Sequence, residues 1–90
     1  MAKKRDKLGI ISDMLASIQE RNGVIKPTHL MYRSNLSHAQ LKSYLEELVG
    51  KRLVERIQKN EYEYISITNK GCAFLQKLKE INEFERTFGI

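Results

Sequence analysis

Apolar residues recur near the start of the chain at Leu8, Ile11, Met14, Leu15 and Ile18, with mostly polar residues between them. All five fall on one stripe of a 3.6-residue period, which predicts an amphipathic helix from Asp6 to Asn22. Asn22-Gly23 tolerates positive φ where that helix must stop. Val24-Ile25-Lys26 reads as a short β-prone link. Pro27 breaks any preceding helix, and Thr28 is a good N-cap for a second one over His29 to Ser34. Asn35-Leu36-Ser37 interrupts it. Ser37 can cap a third helix running from His38 to Val49 and ended by Gly50. Leu41, Leu45 and Leu48 form its inner face, flanked by Tyr44 and Val49.

Beyond Gly50 the period changes from 3.6 to two. Leu53-Val54-Glu55-Arg56-Ile57-Gln58 reads as a strand with Leu53 and Ile57 on one face. Lys59-Asn60-Glu61 is the turn, Asn60 being best suited to positive φ. Tyr62 to Ile67 is the returning strand, with Ile65 and Ile67 inward, and Thr68 caps a last helix towards Phe88. Two short helices joined by a polar turn form a helix-turn-helix, and a hairpin directly behind the second is a wing. The expected fold is therefore mainly α with a small β-hairpin (α+β): a winged helix-turn-helix with a C-terminal dimerisation helix. One domain spans residues 1–90, with the helix-turn-helix and wing over 5–68 and the C-terminal helix over 69–90.

Ninety residues suffice for one core and leave no room for a cofactor domain beside a substrate domain. The basic start, Met1 to Lys7, is followed by no apolar stretch, and no apolar run is long enough to span a bilayer. The single Cys72 makes no internal disulfide, which fits a reducing compartment and a cytoplasmic, nucleoid-associated location. Charge separates two functional halves. Residues 1–59 hold twelve Lys/Arg against six acids, while residues 60–90 hold four against five. The first part suits an anionic partner, nucleic acid or membrane surface; the second does not.

Chemistry is scarce by comparison. The five glycines are isolated, so no phosphate-cradling loop exists. His29, His38 and Cys72 match no zinc spacing. No serine sits in a nucleophile elbow. The expectation is a protein that is not an enzyme, with no metal, no cofactor and no evident small-molecule ligand.

Met31-Tyr32-Arg33-Ser34-Asn35-Leu36-Ser37, then Leu41, Tyr44 and Leu45, Lys51 to Val54, and Ile67-Thr68-Asn69-Lys70-Gly71 resemble a family of small archaeal winged-helix DNA-binding proteins. That family takes in predicted transcriptional regulators and a Sulfolobus chromatin-type protein. The likeness covers roughly residues 5–80. It implies a winged-helix binder of double-stranded DNA that forms a homodimer through its C-terminal helix. In this chain that helix is shorter than the long coiled-coil segment of the chromatin-type members.

The third helix carries the candidates for recognition. With its leucines inward, 100° per residue sets Ala39, Ser43 and Glu46 nearly opposite the core, Gln40 and Glu47 on one flank, and Lys42 and His38 on the other. Small residues at 39 and 43 allow close approach to base edges, Gln40 can pair with adenine, and Lys42 can reach guanine or phosphate. The same residues also suit an ordinary solvated face. Around them, Arg33, Ser37, Arg56, Lys59 and Asn60 are candidate phosphate contacts. Lys3, Lys4, Arg5 and Lys7 form a basic arm whose charge also serves solubility. The rival function is a winged helix used for protein–protein contacts, or a non-specific chromatin-architectural binder.

The last helix differs in kind. Phe74, Leu78, Ile81 and Phe88 fit a heptad-like seam interrupted by Glu85, with Leu75 and Phe84 beside it. Ile81, Phe84 and Phe88 extend beyond what a small core covers, which marks a partner surface and points to a second copy. The alternative is a helix folded back along the first helix of its own chain.

Overall fold

The computed structural model describes residues 6–89. Asp6 caps the first helix, α1 (Lys7–Glu20), its Oδ1 accepting the Gly9 N–H at 2.7 Å. Ile11, Met14, Leu15 and Ile18 are buried and form the centre of the core. Leu8, expected on the same stripe, is 52% exposed. It belongs to the first turn and borders the open cleft between this helix and the last one, beside Ile81. The helix stops as expected, with Asn22 at φ 63° and Gly23 at φ 87°, and the Gly23 N–H returns to the Ile18 carbonyl at 2.9 Å.

The link after it is a strand. β1 (Val24–Ile25) pairs antiparallel with the returning wing strand, burying Ile25 beneath the sheet. Pro27 then opens α2 (Pro27–Arg33) rather than preceding it, with Lys26 as the N-cap, so Thr28 lies inside the helix and does not cap it. A proline is well tolerated there, because the N–H it lacks has no intrahelical partner in the first turn. Ser34 follows as the C-cap.

α3 (His38–Gly50) begins with a reciprocal capping box. Ser37 Oγ accepts the Gln40 N–H at 3.1 Å, and Gln40 Oε1 accepts the Ser37 N–H at 2.9 Å. Leu41, Leu45 and Leu48 are buried as the periodicity requires. Gly50 stays helical, and the chain reverses at Arg52, which takes φ 61° while the Leu53 N–H closes onto the Leu48 carbonyl at 2.9 Å.

The wing consists of β2 (Val54–Lys59) and β3 (Tyr62–Ile67), giving a three-stranded antiparallel sheet in the order β1-β3-β2. Its register pairs Val54 with Ile67 and Lys59 with Tyr62, leaving Asn60-Glu61 as the turn, with Asn60 at φ 58°. Strand alternation sets Val54 and Arg56 on the face of Ile65 and Ile67, and Ile57 opposite Tyr64 on the other. Leu53 and Ile57, expected to share one face, differ in burial, because Ile57 lies on the outer face and is exposed. Leu53 is buried but precedes the strand, and Val54 takes the inward position. A shift of one residue exchanges the two faces.

α4 (Asn69–Phe88) is capped by Thr68, whose Oγ1 accepts the Gly71 N–H at 2.9 Å and donates towards the Arg52 carbonyl at 2.6 Å. At Gly71 the helix meets the backbone of Leu53 so closely that a methyl group would collide with the Leu53 carbonyl oxygen and lie 2.8 Å from Ile67 Cγ1. Leu75 is buried at this junction, and the half from Lys79 onward is exposed. Four helices and a small three-stranded sheet form the winged-helix architecture. No helix among the described residues is long and apolar enough to cross a membrane.

Candidate nucleic-acid interface

The capping box fixes the start of α3, and the buried leucines fix its rotation. Ala39, Gln40, Lys42, Ser43 and Glu46 all lie on the exposed side. Between this helix and the inner face of the wing runs a groove of about 330 Å³. Its floor is Leu41 and Leu45, and its walls carry His38, Lys42, Arg56 and Glu63. The sheet register explains this gathering: Arg56 is on the inward face but beyond the core, so its side chain reaches towards α3.

Other expected site residues are engaged elsewhere. The Gln40 carbonyl oxygen serves the capping box, so a two-point contact with adenine requires the box to open. Arg33 turns to α1, where its Nη2 lies 2.7 Å from Glu20. Arg56 Nη1 lies 3.3 Å from Glu63, a partner that the sequence pattern left unnoticed. Lys59 and Asn60 sit at the wing tip and border its outer face. Lys42 and Lys59 form no ion pair among the described residues. Lys3, Lys4 and Arg5 lie outside the described residues.

Lys7 was expected in the basic arm; instead it opens α1 and pairs with Glu47 of α3 at 2.8 Å, while Lys51 reaches the same carboxylate at 2.9 Å. Hydrogen bonds from Lys7 and then Lys51 hold the Glu47 carboxyl below its ordinary value of 4.5. The same contact raises Lys7 above 10.5. The stabilisation from Glu47 is therefore complete above pH 4.5 and is lost as pH falls through the depressed folded value. That from Lys7 is complete below pH 10.5 and is lost as pH rises through the elevated one. Thermal melts of the parent and Glu47→Gln should differ most at neutral pH and converge in acid below 4.5. A constant gap across that range would show that the carboxylate charge does not stabilise the α1–α3 contact.

The outer face of the wing is different. Lys26 Nζ stands 4.5 Å from the centroid of the Tyr62 ring and 6.0 Å from that of Tyr64, which lines an open depression with Val24 and Ile57. Along α4, Phe74 is half-buried and packs against the core of its own chain, and Leu78 is half-buried beside α1. Ile81, Phe84 and Phe88 are exposed by 55%, 55% and 65%, with the two phenyl centroids 4.8 Å apart. No group of three or more His, Cys, Asp or Glu among the described residues is placed to hold a metal ion.

A family model for winged helix-turn-helix domains matches residues 4–86. The chain belongs to the winged helix-turn-helix family. A protein of Methanocaldococcus jannaschii is 33% identical over 78 residues, covering 87% of this chain and 34% of that protein. The chain thus spans about a third of the length of this relative. Among solved structures, Sso10a-2, a DNA-binding protein from Sulfolobus solfataricus, aligns with TM-score 0.79 at 19% identity, over 93% of this chain and 85% of that one. MarR from E. coli aligns with TM-score 0.70 at 25% identity, over 77% of this chain and 50% of that one. The resemblance to small archaeal winged-helix proteins, expected from the sequence, is borne out at the level of family and fold.

Proposed function

We propose that this winged helix-turn-helix protein binds double-stranded DNA with sequence preference, as a homodimer, and acts as a transcription regulator in the cytoplasm. The observation that carries the reading is the exposed face of α3, where the small residues Ala39 and Ser43 stand beside Lys42. A helix with small residues outward can press its backbone close to base edges in the major groove, and cations at its border hold the adjoining phosphates. Glu46 lies on the same face one turn further on, so the first two turns of α3 enter the groove. Lys59 and Asn60, at the tip of the hairpin, reach the backbone beside the site. Gln40 supports this arrangement by holding the helix start. The DNA-binding descriptions of Sso10a-2 and of F93, a winged-helix protein from STIV, favour the same reading.

Counterion release supplies the test. Duplex affinity should fall with salt on a log–log slope of about −0.9 per phosphate neutralised. Lys59→Ala should make that slope shallower by about 0.9 and weaken all duplexes alike, whereas Ser43→Glu should abolish preference among sequences. Absence of duplex binding at about 50 mM salt would remove the proposal. The protein-binding alternative would then stand on the exposed Tyr62, Val24 and Ile57 of the outer wing.

A further inference from the structure

The groove between α3 and the wing contains a carboxylate that a DNA-binding surface does not need. We propose that Glu63 competes with a DNA phosphate for the guanidinium of Arg56, and so limits the affinity of this protein for DNA. The inference rests on the DNA-binding reading and assigns Glu63 a role within that site. Its basis is the placement of four side chains on the groove walls: His38 and Lys42 from α3, Arg56 and Glu63 from the wing.

In the described structure Arg56 Nη1 faces Glu63 Oε1 at 3.3 Å, and the two side chains are 40% and 41% exposed. A pair that open to water, at a distance beyond the usual range for a charge-assisted hydrogen bond, is a weak one. It does not lock Arg56 in place, and a phosphodiester oxygen can take the guanidinium from it. The exchange has a cost, because Glu63 is then left unpaired in a groove occupied by a phosphodiester, and like charges repel. The sheet register makes the competition unavoidable. Arg56 opposes Ile65, Glu63 opposes Gln58, and the two charged side chains are diagonal neighbours on the single face that looks at α3.

The arrangement predicts a double-mutant cycle in which removing an acid helps only when Arg56 is present. Glu63→Gln keeps the shape of the side chain, removes its charge and frees Arg56 for the phosphate. Its affinity for duplex DNA at low salt should rise about fivefold, the scale of one exposed ion pair, and its salt slope should steepen by about 0.9. In an Arg56→Ala background the same substitution should raise affinity by less than about twofold and leave the slope unchanged. Urea melts of all four proteins report whether each is folded, and Glu63→Asp, which keeps the charge, serves as the conservative control.

If the parent binds duplex DNA but Glu63→Gln binds no better, or worse, Glu63 positions Arg56 instead of competing with DNA, and the inference fails. It fails equally if the full gain persists without Arg56, because Glu63 would then act as a diffuse charge. These outcomes are distinct from failure of the underlying reading, in which the parent itself does not bind.

Discussion

Gly71→Ala should destabilise the fold by about 3 kcal/mol, although it adds a single methyl group to a helix. Helical propensity favours the substitution by up to about 1 kcal/mol, so the expected loss comes from tertiary structure alone. At this position the new Cβ meets the carbonyl of Leu53 and the side chain of Ile67, neither of which is the free end of a flexible group. Relieving the collision moves α4 away from the β2 entry. That movement strains the Thr68 N–H bond to the Leu53 carbonyl, 3.1 Å long, and the Thr68 Oγ1 contacts to the carbonyls of Arg52 and Leu53. Overpacking costs roughly 1–3 kcal/mol and a lost cap about 1. In urea, at a slope near 1–2 kcal/mol/M for a small domain, the midpoint should drop by about 2 M. Gly50→Ala is the control: it is also helical, nothing lies within 4 Å of the added Cβ, and it should match or exceed the parent in stability. Equal midpoints for Gly71→Ala and the parent would mean that the α4–wing junction yields without cost.

The Gly71 contact shows why some features were legible in the sequence and others were not. Ile67-Thr68-Asn69-Lys70-Gly71 could be read as strand end, cap and helix start, because each is a local property. That the glycine is required by Leu53, eighteen positions earlier, is a tertiary fact. The same division runs through the candidate interface. Periodicity placed Leu41, Leu45 and Leu48 inward, and thereby Ala39, Lys42 and Ser43 outward, since a helix that buries one face must expose the other. Partners across elements were invisible: Glu20 for Arg33, Glu47 for Lys7, Glu63 for Arg56. The signal for Glu63 was present in the hairpin, once Asn60-Glu61 is taken as a two-residue turn and the register counted outward from Lys59 and Tyr62. A three-residue turn hides it. Gln40 carried the capping-box pattern with Ser37 in plain sight, three residues apart, and its value as a base reader obscured its use as a cap.

The double substitution Ile81→Asp/Phe88→Asp should give a folded monomer that binds DNA about 100-fold more weakly than the parent. Neither side chain contributes to the core, which takes from α4 only Leu75, with Phe74 at its margin. Substitutions at exposed sites of this kind cost about 0.5 kcal/mol or less in folding, so the thermal midpoint should barely change. Yet Ile81, Phe84 and Phe88 form an exposed apolar strip along the outer half of α4, and Leu8 of α1 adds to it across the groove that holds Leu78. An isolated chain leaves this surface in water, and a second copy related by a two-fold axis would cover both strips at once. Charge favours the same assignment, because the outer half of α4, from Lys79 to Phe88, carries three acids, Glu80, Glu83 and Glu85, against two bases and so is not drawn to DNA. Two copies so joined present two α3 helices to half-sites about 34 Å apart, and the second contact then forms at high effective concentration. Aspartates in the strip would place charges where the copies meet, breaking the dimer and with it the paired contact, while each winged helix stays intact. Sedimentation should show the parent near twice 10.5 kDa and the variant at 10.5 kDa. A parent already at the single-chain mass, with DNA affinity unchanged by the aspartates, would assign the strip to some other partner and leave one winged helix to read its site alone.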